Sequence, residues 1–406
     1  MCMPDSSPMT ALQSPALQRV ALVHDWLDTW RGGEQVLAEV LELYPQADLF
    51  SLVDFLPDAM RRHILGKHAR VSFLQRMPGA ARHFRALLPL FPRAIESLDV
   101  SGYPLVISIS HAVAKGVKTQ RGQVHVCYCL TPMRYAWDLR ETYLDAADAL
   151  RGPKRALATA ILDRLRRWDV TASERVDDFI AISNFIRERV RRCYGRDASV
   201  VYPPVDVEFF TPAPVRPSRR DFFTASRWVA YKRLDAIVEA FASTPERRLL
   251  VAGDGPELAR VRNRASANVE FAGEVSRERM RDMMREARAF VFAAEEDFGI
   301  APLEAQACGT PVIAYAGGGA LETISGGDNG LEPTGVFFAE QSAAAIRSAI
   351  TAFEARACPI DHDACRRNAL RFSRALFRER FAAQVERAHT RLAAHSAVSI
   401  SPATPC

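Results

Sequence analysis

Strand-like runs that alternate with helix-like segments predict an α/β protein of two Rossmann-like domains with parallel sheets. Three observations carry the expectation. The alternation occurs in two long stretches. A dense proline group, Pro203-Pro204 followed by Pro212, Pro214 and Pro217, separates them and resists regular structure. The length of 406 residues leaves room for two to three domains, at roughly 100–200 residues each. Two similar domains with a cleft between them are therefore expected.

The elements follow in order. Residues 1–17 are polar and rich in Pro and Ser, with no charged start leading into an apolar core. They read as a disordered N-terminus rather than a signal peptide. Val20 to Val23 reads as a first strand ending at His24, and Gln35 to Leu43 as the helix after it. Leu105 to Ile109 and Val124 to Leu130 are further strands. Phe179 to Ile182 closes the first domain, taken as 18–204, with a helix through Arg192. After the prolines the alternation restarts: strand Asp221 to Ala225, helix Arg233 to Ala242, strand Arg248 to Ala252, then strands Phe290 to Ala294 and Pro311 to Tyr315. This second domain is taken as 205–372. Ser373 to Leu392 reads as an amphipathic helix, in a segment 373–394 that is a candidate to cross back to the first domain. Residues 395–406 read as a disordered tail.

Composition narrows the function. Hydrophobic residues make up 48% of the chain and charged ones 25%, enough to build real cores. A net charge of +5 does not make a nucleic-acid protein without a concentrated basic face. The eight cysteines include no CxxC pair and no zinc spacing, and read as reduced, mostly buried thiols of a cytoplasmic chain. No apolar run approaches the ~20 residues of a spanning helix, so any membrane contact is peripheral. From Ala59 to Ile95 there is no Asp or Glu against eight Arg and Lys, interleaved with Phe73, Leu74, Phe84, Leu87, Leu88, Leu90 and Phe91. Three readings stand: contact with anionic lipid headgroups or a lipid diphosphate, a solvated basic face, or a buried amphipathic helix.

The run Glu296-Asp-Phe298-Gly299-Ile300-Ala-Pro-Leu-Glu304 is the most informative stretch. Its two carboxylates stand eight positions apart, the first after a strand, the second in the opening turn of a helix that ends near Gly309. Strand, tight loop, short helix and strand form the layout of a ligand site at the carboxyl edge of a parallel sheet. Two acceptor-only carboxylates there suit a polyhydroxyl ligand.

Arg227 and Lys232 flank the end of the strand Asp221 to Ala225 and its helix. They either grip a diphosphate beside a helix N-terminus or stand solvated on a loop. Gly32 and Gly33, within Arg31-Gly-Gly-Glu34, let backbone N–H groups approach an oxyanion, or form an ordinary turn and cap. Gly253-Asp-Gly255-Pro256 is an incomplete dinucleotide fingerprint with Leu258 in place of the third glycine, mainly a turn, and Pro256 suits a first helical position. Gly317-Gly318-Gly319, followed by Glu322, either shapes the cleft wall or is a mobile turn. His24, Asp25 and His111 fall near strand ends of the first domain. Of these, His111 is the candidate contact to a transferred group, against the plainer reading of a structural histidine. Asp361-His-Asp363 lies far from every other candidate and makes a poor metal motif.

Together these motifs resemble glycosyltransferase family 4, a retaining group with the GT-B fold. The matching residues are Arg31-Gly-Gly-Glu34, Ser226-Arg227 through Lys232-Arg233, Gly253-Asp-Gly-Pro256, Phe271-Ala-Gly-Glu-Val275 and Glu296 through Glu304-Ala. The first half is similar to bacterial O-antigen and exopolysaccharide mannosyltransferases through His24-Asp-Trp26, Ser72-Phe-Leu-Gln75, Pro92-Arg-Ala-Ile-Glu-Ser97 and Thr131-Pro-Met-Arg-Tyr-Ala-Trp137. The resemblance implies that Glu296 accepts from donor-sugar hydroxyls and Glu304 from ribose hydroxyls. Arg227 and Lys232 would hold the diphosphate, with the Gly32-Gly33 backbone opposite. Residues near Val275 would border the base, and Phe298, Gly299 and Ile300 complete the donor motif.

It implies no divalent metal, no other cofactor and no protein nucleophile. Many members carry a His at the strand end that here reads Cys127-Tyr-Cys129-Leu130. Leu130 cannot donate a hydrogen bond, so His111, His24 or backbone would replace that contact. The implied activity is hexose transfer, mannose from GDP-mannose first, from a nucleotide sugar to a lipid-linked glycan acceptor in lipopolysaccharide or exopolysaccharide synthesis. The chain would sit in the cytoplasm, peripheral at an anionic inner membrane through residues 59–95, with no nucleic-acid partner. The alternatives are a UDP-sugar-dependent transferase, a nucleotide-sugar epimerase or a phosphorylase of the same fold, and a non-enzymatic sugar-binding protein.

Overall fold

The computed structural model describes residues 19–141, 144, 152–215, 221–328 and 330–398. The expectations for 1–17 and for the tail beyond 398 lie outside them. The chain divides into two compact units. The first comprises the chain through Ile182, Ile186–Val201 and the stretch from Arg378; the second comprises Ser183–Phe185 and Tyr202–Phe377.

Seven strands form the sheet of the first unit: β1 Val20–His24, β2 Asp48–Ser51, β3 Arg70–Val71, β4 Leu105–Ser110, β5 Val124–Cys129, β6 Asp178–Ala181 and β7 Ser199–Val200. Their order is β3-β2-β1-β4-β5-β6-β7, and every pairing is parallel. Six more form the sheet of the second unit: β8 Phe222–Ala225, β9 Leu249–Ala252, β10 Val269–Gly273, β11 Ala289–Phe292, β12 Val312–Tyr315 and β13 Gly335–Phe338. Their order is β10-β9-β8-β11-β12-β13, again all parallel. Each sheet is therefore Rossmann-like, as expected from the alternation. β1, β4 and β5 are buried at every position, because crossover helices cover both faces of a parallel sheet.

The apolar strands were readable to within a residue or two. The helix Gly32–Leu43 starts three residues before the expected Gln35, because Glu34 accepts from the Arg31 backbone N–H at 2.8 Å and pins the first turn. β2, β3, β7, β10 and β13 escaped a pattern reading, as did the helix Pro153–Ser173, in which charged residues break up the apolar ones.

The acid-free stretch 59–95 is not one amphipathic helix. It folds into β3 and short helical turns, including Asp58–Arg61, Ala80–His83 and Phe91–Glu96. Leu74, Phe84, Phe91, Ala94 and Ile95 enter the core of the first unit, so these apolar residues serve packing. Phe73 stays 44% exposed. Arg61 pairs with Asp54 at 3.0 Å, Arg70 with Asp48 at 3.2 Å and Arg85 with Asp28 at 2.5 Å.

Beneath this region Lys115 and Asp169 form a fully buried ion pair. The Asp169 carboxylate also accepts from Trp137 Nε1 at 2.9 Å and the Tyr194 hydroxyl at 2.8 Å. The last helix, Arg374–Val398, runs beyond Leu392. From Arg378 it belongs to the first unit, where Arg378 meets Glu39 at 2.7 Å and Gln384 donates to Asp178 at 3.0 Å.

Candidate active site

In each sheet the strand order reverses once: between β1 and β4 in the first unit, and between β8 and β11 in the second. Ligands of doubly wound sheets bind outside the carboxyl ends of strands at such a reversal. Several candidate residues follow the strands that flank these reversals.

In the first unit, His24 and Asp25 follow β1 and His111 follows β4. Asp25 is fully buried. Its Oδ2 accepts from the backbone N–H of His111 at 2.6 Å and of Ala112 at 3.0 Å, and its Oδ1 from Val113 and Ala114, both at 2.6 Å. His111 Nδ1 lies 2.9 Å from Oδ2. Asp25 thereby shapes the whole turn 111–114 and keeps one ring nitrogen of His111 as donor. Against the opposing effect of burial, the His111 ring, as a charge and as a donor, and the His111 backbone N–H hold the Asp25 carboxyl well below the usual range.

The Asp25 charge raises the His111 pKa, also against burial. The Trp26 ring stands edge-on to His111 at 4.5 Å. His24 is buried, its Nδ1 3.1 Å from the Trp26 carbonyl, and burial lowers its pKa. Gly32 and Gly33 open the helix Gly32–Leu43. A β-carbon on Gly33 would stand 3.2 Å from Leu130 and 3.5 Å from His24 Nε2. Gly33, Leu130 and His24 are therefore neighbours at this strand edge.

In the second unit, Arg227 and Lys232 follow β8 and Glu296 follows β11. Lys232 and Glu296 form an ion pair, their side chains 16% and 20% exposed. Arg227 is exposed and has no ion pair among the described residues. What fixes the 226–232 segment is Trp228, fully buried. Its N–H donates to the Asp254 carbonyl at 2.9 Å, and its own carbonyl accepts from Glu257 N–H at 3.2 Å. Gly253, at φ +114, makes room: a β-carbon there would fall 2.0 Å from the Ser226 carbonyl oxygen. Gly253-Asp-Gly255 is thus the seat of Trp228. Pro256 precedes the helix Leu258–Arg262 rather than opening it.

The triple glycine is a packed contact, not a mobile turn. The Gly319 N–H donates to the Glu296 carbonyl at 2.8 Å, and a β-carbon on Gly318 would lie 2.3 Å from that same oxygen. Glu322 accepts from the backbone N–H of Asn184 at 2.8 Å and Phe185 at 2.9 Å, and from the Tyr202 hydroxyl at 3.0 Å. Phe298 is 3% exposed; its ring packs on Tyr202 at 5.8 Å and Phe372 at 5.7 Å.

Gly299, at φ +90, caps the helix Ile300–Ala307, which places Glu304 in the second turn rather than the first. Burial pushes the Glu304 carboxyl up to about 7, with Arg277 opposing and Asp206 adding to the rise. Asp206 pairs with Arg277 and Arg374, each at 2.8 Å. Val275 is half-buried just before Ser276, which caps the helix Arg277–Glu286. Asp361 serves as a helix cap, accepting from Asp363 N–H at 3.0 Å, and His362 Nδ1 lies 2.7 Å from the Gly309 carbonyl. Among the described residues no group of His, Cys, Asp and Glu is placed to hold a metal ion.

The sequence pattern pointed to Arg227, Lys232, Glu296 and Glu304, but not to Trp228 or to the role of Asp25. The signal for Trp228 was available: two glycines a strand away from a large aromatic after β8.

Residues 208–371 match the model of the glycosyl transferases group 1 family. The chain is 30% identical over 229 residues to a D-inositol 3-phosphate glycosyltransferase of Mycolicibacterium smegmatis, covering 51% of this chain and 49% of that one. It is 32% identical over 179 residues to a GDP-mannose-dependent monoacylated alpha-(1-6)-phosphatidylinositol monomannoside mannosyltransferase of Corynebacterium glutamicum, covering 37% of this chain and 47% of that one. The chain thus spans about half the length of the curated relatives it matches. Among solved structures, the HepE protein of Anabaena in complex with UDP and glucose aligns over 90% of this chain and 98% of its own, with a TM-score of 0.65 at 16% identity. Sucrose-phosphate synthase from Thermosynechococcus elongatus aligns over 93% of this chain and all of its own, with a TM-score of 0.63 at 22% identity. At these identities the structural likeness concerns the fold, which is of the GT-B class. The match of residues 208–371 to the group 1 glycosyl transferase model agrees with the family 4 likeness carried by the motifs.

Proposed function

We propose that the chain is a retaining glycosyltransferase that moves a hexose, mannose from GDP-mannose, onto a lipid-linked saccharide of a surface polysaccharide. The observation that carries the reading is the grouping of Arg227, Lys232 and Glu296 at the strand reversal of the second unit. Two cations at the end of β8 stabilise the charge that a departing nucleoside diphosphate gains. Glu296 accepts from sugar hydroxyls in this reading, and Lys232 pairs with it. Same-face attack breaks the donor C1–O bond and forms the acceptor O–C1 bond. The acceptor proton passes to the leaving phosphate oxygen, so no metal or side-chain nucleophile is invoked. His111, on its Asp25 anchor, is the proposed contact to the transferred sugar in place of the histidine that Leu130 displaces.

The mannose assignment is favoured by relatives named as GDP-mannose-dependent. A UDP sugar is the second reading, favoured by the fold neighbour that holds UDP. No helix among the described residues is long and apolar enough to cross a membrane. A peripheral position at an anionic inner face, through exposed arginines of 59–95, suits a lipid-linked acceptor.

Transfer from GDP-mannose by Glu304→Ala and Lys232→Ala tests the reading. Each should lose at least ~10²-fold; near wild-type rates in both would refute it. A thermal-shift panel ranks GDP, UDP and ADP, since a ligand at about 100 times its Kd adds roughly 2.7 kcal/mol.

A further inference from the structure

A pocket of about 440 Å³ lies in the first unit between residues 89–96 and the helix Pro153–Ser173. Leu90, Ile161, Leu165 and Trp168 give it apolar walls, and Arg93 and Arg164 also line it. Both arginines are exposed, and neither has an ion-pair partner among the described residues. The nearby acids are already answered. Glu96 accepts from Trp168 Nε1 at 2.8 Å and pairs with Arg175 at 2.8 Å and Lys118 at 3.5 Å. Asp163 pairs with Arg140 at 2.6 Å. Among the described residues, two cations without an ion-pair partner thus stand beside an apolar groove.

We propose that this groove seats one anionic phospholipid of a bilayer, its phosphate on Arg93 and Arg164 and part of an acyl chain along Ile161, Leu165 and Trp168. The inference rests on the peripheral-membrane part of the function above and gives it a location. Charge and shape favour a membrane lipid over a free phosphate, since free phosphate leaves the apolar walls unused. Leu157, 64% exposed, stands one helical turn before Ile161 and extends the same apolar line outward. On the acid-free stretch that leads into the groove, Arg76 and Arg82 are exposed and have no ion pair among the described residues. A broad anionic surface would satisfy them as a single soluble anion would not.

Vesicle flotation of the full chain tests this. Wild type should float with phosphatidylcholine vesicles that contain phosphatidylglycerol and not with phosphatidylcholine alone. The double variant Arg93→Ala, Arg164→Ala should lower the partition by about thirtyfold. Phosphatidylglycerol brominated on its acyl chain should quench part of the tryptophan fluorescence, and Trp168→Phe should abolish that part. Glycerol phosphate should not compete at equal phosphate. Flotation of the double variant at the wild-type level, or quenching that survives Trp168→Phe, would overturn the site. The thermal shift with GDP is read on the same proteins. A double variant that keeps the wild-type GDP shift while losing flotation supports the groove. Absence of any nucleotide shift in wild type counts against the transferase reading alone.

Discussion

Asp25 holds His111 at two points: it accepts from the His111 backbone N–H at 2.6 Å and stands 2.9 Å from its ring Nδ1. The contact makes the imidazole easier to protonate. Asp25→Asn should therefore lower the His111 pKa, read by NMR titration of its ring; an unchanged value would show the two are uncoupled. The sign for stability follows from linkage. The raised His111 pKa contributes stability that is full below the unfolded value of about 6.5 and fades as pH rises through the folded value. The depressed Asp25 contributes above its unfolded value near 4 and is lost in acid.

Glu304 sets a pH dependence for nucleotide binding. Burial pushes its carboxyl up to about 7, and in the proposed donor site ribose hydroxyls would bond more strongly to the ionised form. Below pH 7 the GDP affinity should fall by up to tenfold per unit, measured by calorimetry, and Glu304→Gln should flatten the profile. The raised pKa also means the folded protein binds more protons than the unfolded chain between about 4.5 and 7, so this group's contribution to stability declines as pH rises through that window.

The seat of Trp228 gives a backbone test. Gly253→Ala meets the Ser226 carbonyl and an unfavourable φ, so it should cost more than the roughly 1–3 kcal/mol of strain alone and abolish the GDP thermal shift. Gly122→Ala is the internal comparison, at φ +91 with nothing within 4 Å. It should show strain only and keep the shift.

Removing Asp169 leaves Lys115 charged and buried. Asp169→Ala should cost about 3–5 kcal/mol, seen in urea unfolding of the first unit. The double variant Lys115→Met, Asp169→Leu should recover part of that loss, since the buried charge is gone while Trp137 Nε1 and the Tyr194 hydroxyl still lack their acceptor. Equal stabilities for both variants would argue against a buried charge as the cause.

The sheets were legible because parallel strands buried on both faces leave unbroken apolar runs, as in Val20 to Val23 or Leu105 to Ile109. β2 and β3 were not, because a strand of two to four residues with Asp48 or Arg70 at its edge carries no such run. That Arg227, Lys232 and Glu296 follow strand ends was readable from motif order. The work of Asp25 was not, because it depends on four backbone N–H groups more than eighty residues away, and pattern at one point in a chain is silent about which amides will converge there. Gly317 to Gly319 left two readings open for a different reason: glycine permits both looseness and close approach, and only the position of the Glu296 carbonyl decides between them.

Trp228 is the single tryptophan of the second unit; the other four, at 26, 30, 137 and 168, belong to the first. A protein with those four replaced by phenylalanine would carry one optical gauge, lodged within the 226–232 segment. Its emission would follow occupancy of the nucleotide side in real time, without label or coupled assay, and would separate donor capture from everything that happens to the acceptor.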